Sequence, residues 1–241
     1  MKHSIKKLNI PKENDRKLDN LSLKDKTLAE QIGDHHFLTS TNTPLRADAF
    51  DLSDEDKIKQ IEAHFAKIMN TLGLDLTDDS LSGTPYRVAK MYVKEIFSGL
   101  NPKNKPQITL FDNKYQYNEM LIEKNITFHS NCEHHFVPII GKVHVAYIPE
   151  KKVIGLSKIN RLVQHFAKRP QVQERLTMQI ANELCVALET KNIAVVIEAD
   201  HACVITRGVN DVNSSTITSK FYGQFKNNNV KNEFLQLLGK G

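Results

Sequence analysis

The chain has 241 residues, of which 40% are hydrophobic and 25% are charged, and its formal net charge is +5. This length suits one large domain, or one domain with an appendage, and it allows a real hydrophobic core. Even long apolar runs, such as residues 193–197, are far shorter than the roughly 18 residues of a membrane-spanning helix. No apolar signal-peptide core follows the basic N-terminus. The sequence therefore predicts a cytoplasmic protein without a membrane partner.

Charge and cysteine content narrow the function classes. The moderate positive charge suits a protein that handles anions, but it does not distinguish nucleotide phosphates from nucleic acid. Three cysteines form an odd and sparse set, so a disulfide framework is not expected and metal-binding or reactive thiols gain weight.

The first part of the chain is predicted in two segments. Residues 1–50 are polar and weakly patterned, which predicts a flexible N-terminal extension. Residues 51–105 form an N-terminal helical region. Its first helix starts after Ser53 as N-cap. Its second starts with Thr84 as N-cap and Pro85 in the first turn, and ends at Gly99.

Residues 106–241 combine short strands with amphipathic helices. Apolar or alternating runs indicate strand pairs within residues 107–149 and 193–225. Two helices, at 156–170 and 172–189, lie between the pairs, and a short helix closes the chain. Sequential strand pairs separated by helices predict an α+β fold, with an antiparallel sheet and a helix pair packed on it.

Two Cys/His pairs suggest a metal site. Cys132 and His135 are spaced Cys-x-x-His in a predicted tight connection between strands. His201 and Cys203 are two apart in a predicted extended segment, which would put both side chains on one face. Thiolate and imidazole are the preferred ligands of zinc. The pairs could instead be ordinary packed residues, a closed structural zinc site, or a catalytic site with three protein ligands, and the residue types alone do not separate these readings.

A cationic helix face and two polar residues suggest a nucleotide-binding site. Ser157 is the predicted N-cap of a helix whose exposed face carries Lys158 and Arg161, and Arg207 follows Cys203 closely. A helix start next to cations favours a polyphosphate pocket beside the metal, although a solvated basic face has the same pattern. Gln173 and Glu174 begin the next helix. The Glu174 carboxylate could simply interact favourably with the helix dipole, or it could accept paired hydrogen bonds from the edge of a guanine.

Several segments together resemble one family, the type I GTP cyclohydrolases, which open the guanine ring of GTP with zinc. The segments are TPYRVAKMY, CEHHFVPIIGKVHVAYIP, VIGLSKINRLVQHFAKRPQVQERLT, HACVITRG and TITSKFYGQF, in the family's order from about residue 60 onward. The resemblance implies a tunnelling fold, with residues 106–241 as the catalytic domain, assembled into a ring, typically a homodecamer with active sites between subunits. Residues 1–50 lie outside it.

The resemblance also implies roles for individual residues. Cys132, His135 and Cys203 would bind zinc, and His134 and His201 would be acid–base groups. The triphosphate would be held by Ser157, Lys158, Arg161 and Arg207, with Arg161 offered across a subunit boundary. Gln173 and Glu174 would read the guanine. Zinc would activate water to attack C8, and the histidines would protonate ring nitrogens and assist formate release.

The implied product is 7,8-dihydroneopterin triphosphate, at the entry to pterin and tetrahydrofolate biosynthesis. Two alternatives remain. The nitrile reductase of queuosine biosynthesis shares the fold but uses a catalytic Cys and a nicotinamide cofactor, which the Cys/His set disfavours. A nucleic-acid-binding module on a structural zinc is disfavoured by the long gap between the pairs and by the lack of interleaved aromatic residues. The resemblance therefore implies GTP as substrate, and we expect no nucleic-acid partner.

Overall fold

The computed structural model describes residues 42–239. Residues 1–41 of the predicted N-terminal extension lie outside the described residues, and residues 42–50 contain neither helix nor strand. The α-helices of the described part are α1 (Asp54–Thr71), α2 (Asp79–Ser82), α3 (Thr84–Met91), α4 (Leu156–Ala167), α5 (Gln173–Leu188), α6 (Ala202–Ile205) and α7 (Asn228–Gly239). The strands are β1 (Leu110–Asp112), β2 (Leu121–Cys132), β3 (Pro138–Tyr147), β4 (Lys152–Ile154), β5 (Pro170–Gln171), β6 (Ile193–His201) and β7 (Thr216–Phe221).

The main sheet has five strands in the order β5-β2-β3-β6-β7. The successive pairs β2–β3, β3–β6 and β6–β7 are antiparallel, whereas the two-residue β5 runs parallel to β2. Strands β1 and β4 form a separate antiparallel pair. The predicted α+β class is confirmed, and the antiparallel sheet is correct except at β5.

Helices α4 and α5 cover one face of the main sheet. Their apolar side chains pack against sheet residues that include Val143, Val145 and Tyr147 from β3. Each of these three is at most 1% exposed. Removing this apolar surface from water is the main favourable term in folding. The opposite face is also covered in part, because Phe225 and Phe234 pack on Ala146 and its neighbours. Successive residues of β3 therefore alternate between two packed faces of the sheet.

The N-terminal helical region begins as predicted and then departs from the prediction. Ser53 caps α1, since its Oγ accepts a hydrogen bond from the Asp56 N–H at 3.1 Å. At α3 the N-cap is Gly83, and Thr84 instead accepts a hydrogen bond from Arg87. The α-helix ends at Met91, and a π-helical turn (Tyr92–Ile96) and a 3-10 turn (Ser98–Leu100) follow.

Gly99 attaches this region to the end of α4. Its N–H donates to the Lys168 carbonyl at 2.9 Å, and Arg169 Nε donates to the Gly99 carbonyl at 2.8 Å. A Cβ at this position would overlap the carbonyl oxygen of His165. Close backbone approach therefore explains glycine here, rather than the helix-ending role that the sequence suggested.

Among the described helices, none combines the length and the apolar character needed to cross a membrane.

Candidate active site

A cluster of two thiols and an imidazole lies at one end of the main sheet. Cys132 is the last residue of β2, and His135 lies in the turn that leads to β3. Cys203 lies in α6, directly after β6. Strands β2 and β6 both pair antiparallel with β3, so both end beside the start of β3. The sheet topology thus brings together residues that are about seventy positions apart in the sequence.

The possible ligand atoms of Cys132, His135 and Cys203 lie within 4.8 Å of one another. Cys132 is buried, and its Sγ is 3.9 Å from His135 Nδ1 and 3.8 Å from His134 Nδ1. The predicted position of the Cys-x-x-His pair between two strands is confirmed. Soft sulfur and nitrogen donors at this separation suit zinc or another thiophilic metal and do not suit magnesium or calcium.

The second Cys/His pair is arranged differently from the prediction. Strand β6 ends at His201, and Cys203 lies in a helical turn, so the two side chains do not share one strand face. His201 is not a member of the thiol–imidazole cluster. The prediction of a common face was wrong because residues 202–205 turn where their apolar composition suggested continued strand.

Electrostatics favour a cation between the thiols. Burial raises the pKa of Cys203, the nearby Cys132 raises it further, and Arg207 opposes the increase. Two neighbouring sulfurs therefore resist ionising together unless a positive charge compensates them. A metal ion would supply that charge, so the residues present fit a metal.

The turn after Cys132 is held by an ion pair that the sequence analysis missed. Arg175 in α5 forms a two-bond pair with the Glu133 carboxylate, and the Glu133 N–H donates to the Gln171 carbonyl at 3.0 Å. His134 Nε2 lies 3.7 Å from the same carboxylate. A separation of 42 residues hides the pair from any periodicity. A charged residue among the buried positions of α5 was the available signal.

Arg207 reaches the cluster directly. Its Nη1 lies 2.7 Å from His135 Nε2, and the guanidinium is the donor. Of the four predicted phosphate-binding residues, this is the one that the structure brings into contact with the cluster.

His201 is hydrogen-bonded to Gln173 from the first turn of α5. The distance from His201 Nε2 to Gln173 Oε1 is 2.7 Å. Burial lowers the pKa of His201, although the charges of Glu174 and Asp200 act in the opposite direction. The site therefore favours the neutral imidazole, which can accept a proton.

The two residues predicted to read guanine differ in availability. Glu174 is exposed and makes no hydrogen bond or ion pair within residues 42–239, so its carboxylate is open to a ligand. Gln173 is 2% exposed, and both hydrogens of its amide are used by backbone carbonyls of β6 and β7. Only the second lone pair of its oxygen is uncommitted.

Ser157, Lys158 and Arg161 lie away from the cluster within one chain. The Ile154 N–H, just before α4, donates to the Tyr147 hydroxyl. Tyr147 ends β3, whereas the cluster lies beside the start of β3, about 30 Å away at the usual rise per residue. The structure of one chain therefore does not bring these three residues to its own cluster, and their part in a phosphate pocket beside the metal stays a prediction. The predicted cap is wrong, because Gly155 is the N-cap of α4 and Ser157 is its second residue.

Comparisons of the sequence with known proteins point to one family. A family model described as GTP cyclohydrolase I matches residues 61–239. A Flavobacterium johnsoniae protein named GTP cyclohydrolase 1 is 59% identical over 209 residues, covering 87% of this chain and 94% of that protein. A Citrobacter koseri protein of the same name is 53% identical over 197 residues, covering 81% and 89%. A solved structure, an archaeosine synthase QueF-Like in the apo form, is similar with a TM-score of 0.34 and 14% identity, covering 43% of this chain and 91% of that chain, which is too weak a likeness to carry an argument.

Proposed function

The chain belongs to the GTP cyclohydrolase I family and has GTP cyclohydrolase I activity, and we propose that the reaction takes place around the Cys132, His135 and Cys203 cluster. The reaction converts GTP and water into 7,8-dihydroneopterin triphosphate and formate. The observation that carries the location is the convergence of two thiols and an imidazole within 4.8 Å.

Zinc is the proposed resident metal, held by Cys132, His135 and Cys203. Its preference for sulfur and nitrogen donors matches the set, and the two neighbouring thiols need a compensating positive charge. Bound zinc supplies a Lewis acid that activates water for attack on the guanine ring.

His134 and His201 are the proposed acid–base groups. Both flank the cluster, His134 through its contact with Cys132 and His201 through its place two residues before Cys203. Imidazole exchanges protons near neutral pH. Each side chain can therefore accept a proton and pass it to a ring nitrogen as the ring opens, and can assist the release of formate.

Glu174 is the proposed reader of guanine. A carboxylate can accept hydrogen bonds from N1–H and the 2-amino group at once, and the Glu174 carboxylate has no partner within residues 42–239. Its position at the start of α5, next to the residue that contacts His201, would hold the base beside an acid–base group.

The triphosphate site is proposed to be shared between subunits. Arg207 lies beside the cluster, whereas Ser157, Lys158 and Arg161 lie toward the other end of the same chain's sheet. A second copy would bring its own α4 start to this cluster. We therefore propose the ring assembly of the tunnelling fold, a homodecamer with active sites between subunits.

Metal analysis combined with a GTP turnover assay tests this function. We expect about one zinc per chain and formate release from GTP. Replacement of His201 by Ala should retain zinc and lose turnover, whereas replacement of Cys203 by Ser should lose both. His64, exposed on α1, provides the matched control, and its replacement by Ala should change neither. Retained turnover in the His201 variant would contradict the acid–base role.

A further inference from the structure

We propose that Gln173 is a positioning residue that fixes the His201 imidazole as its Nε2–H tautomer, so that Nδ1 is the nitrogen that faces the substrate. The proposal deepens the function proposed above and rests on the acid–base role of His201. It assigns Gln173 a task different from reading guanine.

The orientation of the Gln173 amide is determined by its surroundings. Its Nε2 lies 3.1 Å from the Ile197 carbonyl and 2.9 Å from the Thr216 carbonyl. A backbone carbonyl can only accept a hydrogen bond, so the NH2 group must point toward these two oxygens. A flipped amide would place an oxygen against both carbonyls. The Gln173 oxygen therefore faces the opposite side.

The Gln173 oxygen in turn determines the tautomer of His201. Oε1 lies 2.7 Å from His201 Nε2. An amide oxygen is an acceptor only, so Nε2 must carry the hydrogen. A neutral imidazole has one N–H, and Nδ1 therefore carries the lone pair. Within residues 42–239, His201 makes no other hydrogen bond that could compete for this arrangement.

The support behind Gln173 is rigid. Its two carbonyl acceptors belong to β6 and β7, which are paired in the main sheet. The Gln173 carbonyl accepts a hydrogen bond from Thr177, whose hydroxyl also lies 2.7 Å from the Thr218 hydroxyl. The start of α5 is thus attached to the sheet at several points. A packed, fully hydrogen-bonded support of this kind is what keeps a catalytic side chain in its productive geometry.

The two possible roles of Gln173 predict different kinetics. A residue that reads guanine contributes to substrate binding, and its loss raises KM. A residue that fixes the His201 tautomer contributes to proton transfer, and its loss lowers kcat with little change in KM. The replacement Gln173→Met keeps the length of the side chain and removes all three hydrogen bonds.

The test uses the full-length, zinc-loaded protein. We expect Gln173→Met to lower kcat by roughly 10- to 100-fold while KM changes by less than about threefold. Gln164 supplies the matched control, because it too is a helix glutamine that donates to a strand carbonyl, that of Thr127. Gln164→Met should leave kcat unchanged. A raised KM with normal kcat in Gln173→Met would overturn the proposal in favour of guanine reading.

A second measurement does not depend on the Gln173 variant being folded. Proton–nitrogen correlation NMR of labelled histidine in the zinc-loaded wild-type protein reports which imidazole nitrogen carries hydrogen, and comparison with His201→Ala assigns the signal. We expect hydrogen on Nε2 of His201. Hydrogen on Nδ1 would overturn the proposal even if His201 is essential. Full turnover in His201→Ala would instead refute the acid–base role of His201 on which the proposal rests, so the two failures are distinguishable.

Discussion

At the scale of single residues, the turn that carries the proposed ligand His135 is held by the charge pair of Arg175 with Glu133. The side chains of Arg175 and Glu133 are only 5% and 18% exposed. Two planar groups joined by two hydrogen bonds in such a place have one well-defined geometry. Since Glu133 lies between Cys132 and His134, this geometry is transmitted through the backbone to a proposed ligand and to a proposed acid–base group.

Removing Arg175 should therefore affect both folding and metal retention. Arg175→Met leaves the half-buried Glu133 carboxylate without its main partner, and we expect the free energy of unfolding to fall by about 3 kcal/mol. Zinc should also be lost faster to a chelator. Urea unfolding and chelator-release kinetics measure the two effects.

The pair of Lys152 with Asp112, whose side chains are 34% and 65% exposed, is the control. Lys152→Met should cost less than about 1 kcal/mol, with unchanged zinc release. If both replacements changed the free energy of unfolding and the zinc release equally, burial of the Arg175 pair would have no effect on either.

At the scale of secondary-structure elements, the sequence predicts those helices and caps that local residue patterns determine. Ser53 as N-cap and the long helices α1, α4 and α5 follow from side-chain spacing and capping. Strand β5 has two residues and is held by β2, so no local pattern marks it. Helix α6 also escapes prediction, because its apolar residues follow β6 directly and suggest a continued strand. The turn forms where the Ala202 carbonyl accepts hydrogen bonds from both the N–H and the hydroxyl of Thr206.

Attachment of the N-terminal helical region to α4 introduces a buried histidine. His165 is 6% exposed, and its Nε2 accepts a hydrogen bond from Arg169 at 2.8 Å. Burial lowers the pKa of His165 to about 4, assisted by the charges of Arg169 and Lys105 and opposed by a hydrogen bond to the backbone of Asn104. Glu183 pairs with Lys105 at 2.7 Å and so reduces the effect of that charge.

This depressed pKa predicts the pH dependence of stability. Below pH 6.5, the ordinary pKa of histidine, the unfolded chain takes up a proton that the folded chain accepts only near pH 4. Stability is therefore complete above that window and falls as the pH decreases through it. We expect His165→Gln to reduce this fall by about 2 kcal/mol, measured as urea midpoints between neutral and acidic pH.

His144 and His201, whose pKa values burial also lowers, should supply the remaining slope in both proteins. Replacement of the exposed His64 by Gln is the matched control and should leave the wild-type slope. An identical slope in the His165 variant would contradict the assignment.

At the scale of the whole molecule, the proposed phosphate-binding residues of one chain lie far apart. Lys158 and Arg207 are predicted members of one phosphate site, yet α4 starts at the Tyr147 end of the sheet and Arg207 contacts His135 at the other end. No sequence pattern records this distance, because it follows from the register of the strands. A site shared between copies reconciles the two groups of residues.

Mixing two inactive variants distinguishes a shared site from one contained in a single chain. Cys203→Ser removes a proposed metal ligand and Lys158→Ala removes a proposed phosphate contact, so each alone should lose most formate release. In co-expressed mixed oligomers, a shared site can take its metal ligands from one chain and its phosphate contact from another. Random assortment then restores about a quarter of the wild-type activity. A site within one chain restores nothing, because every chain carries one defect.

Oligomer size measured by light scattering must show that mixed assemblies formed, and separately purified variants combined without subunit exchange should stay inactive. Mixed oligomers of full size without activity would contradict the shared site.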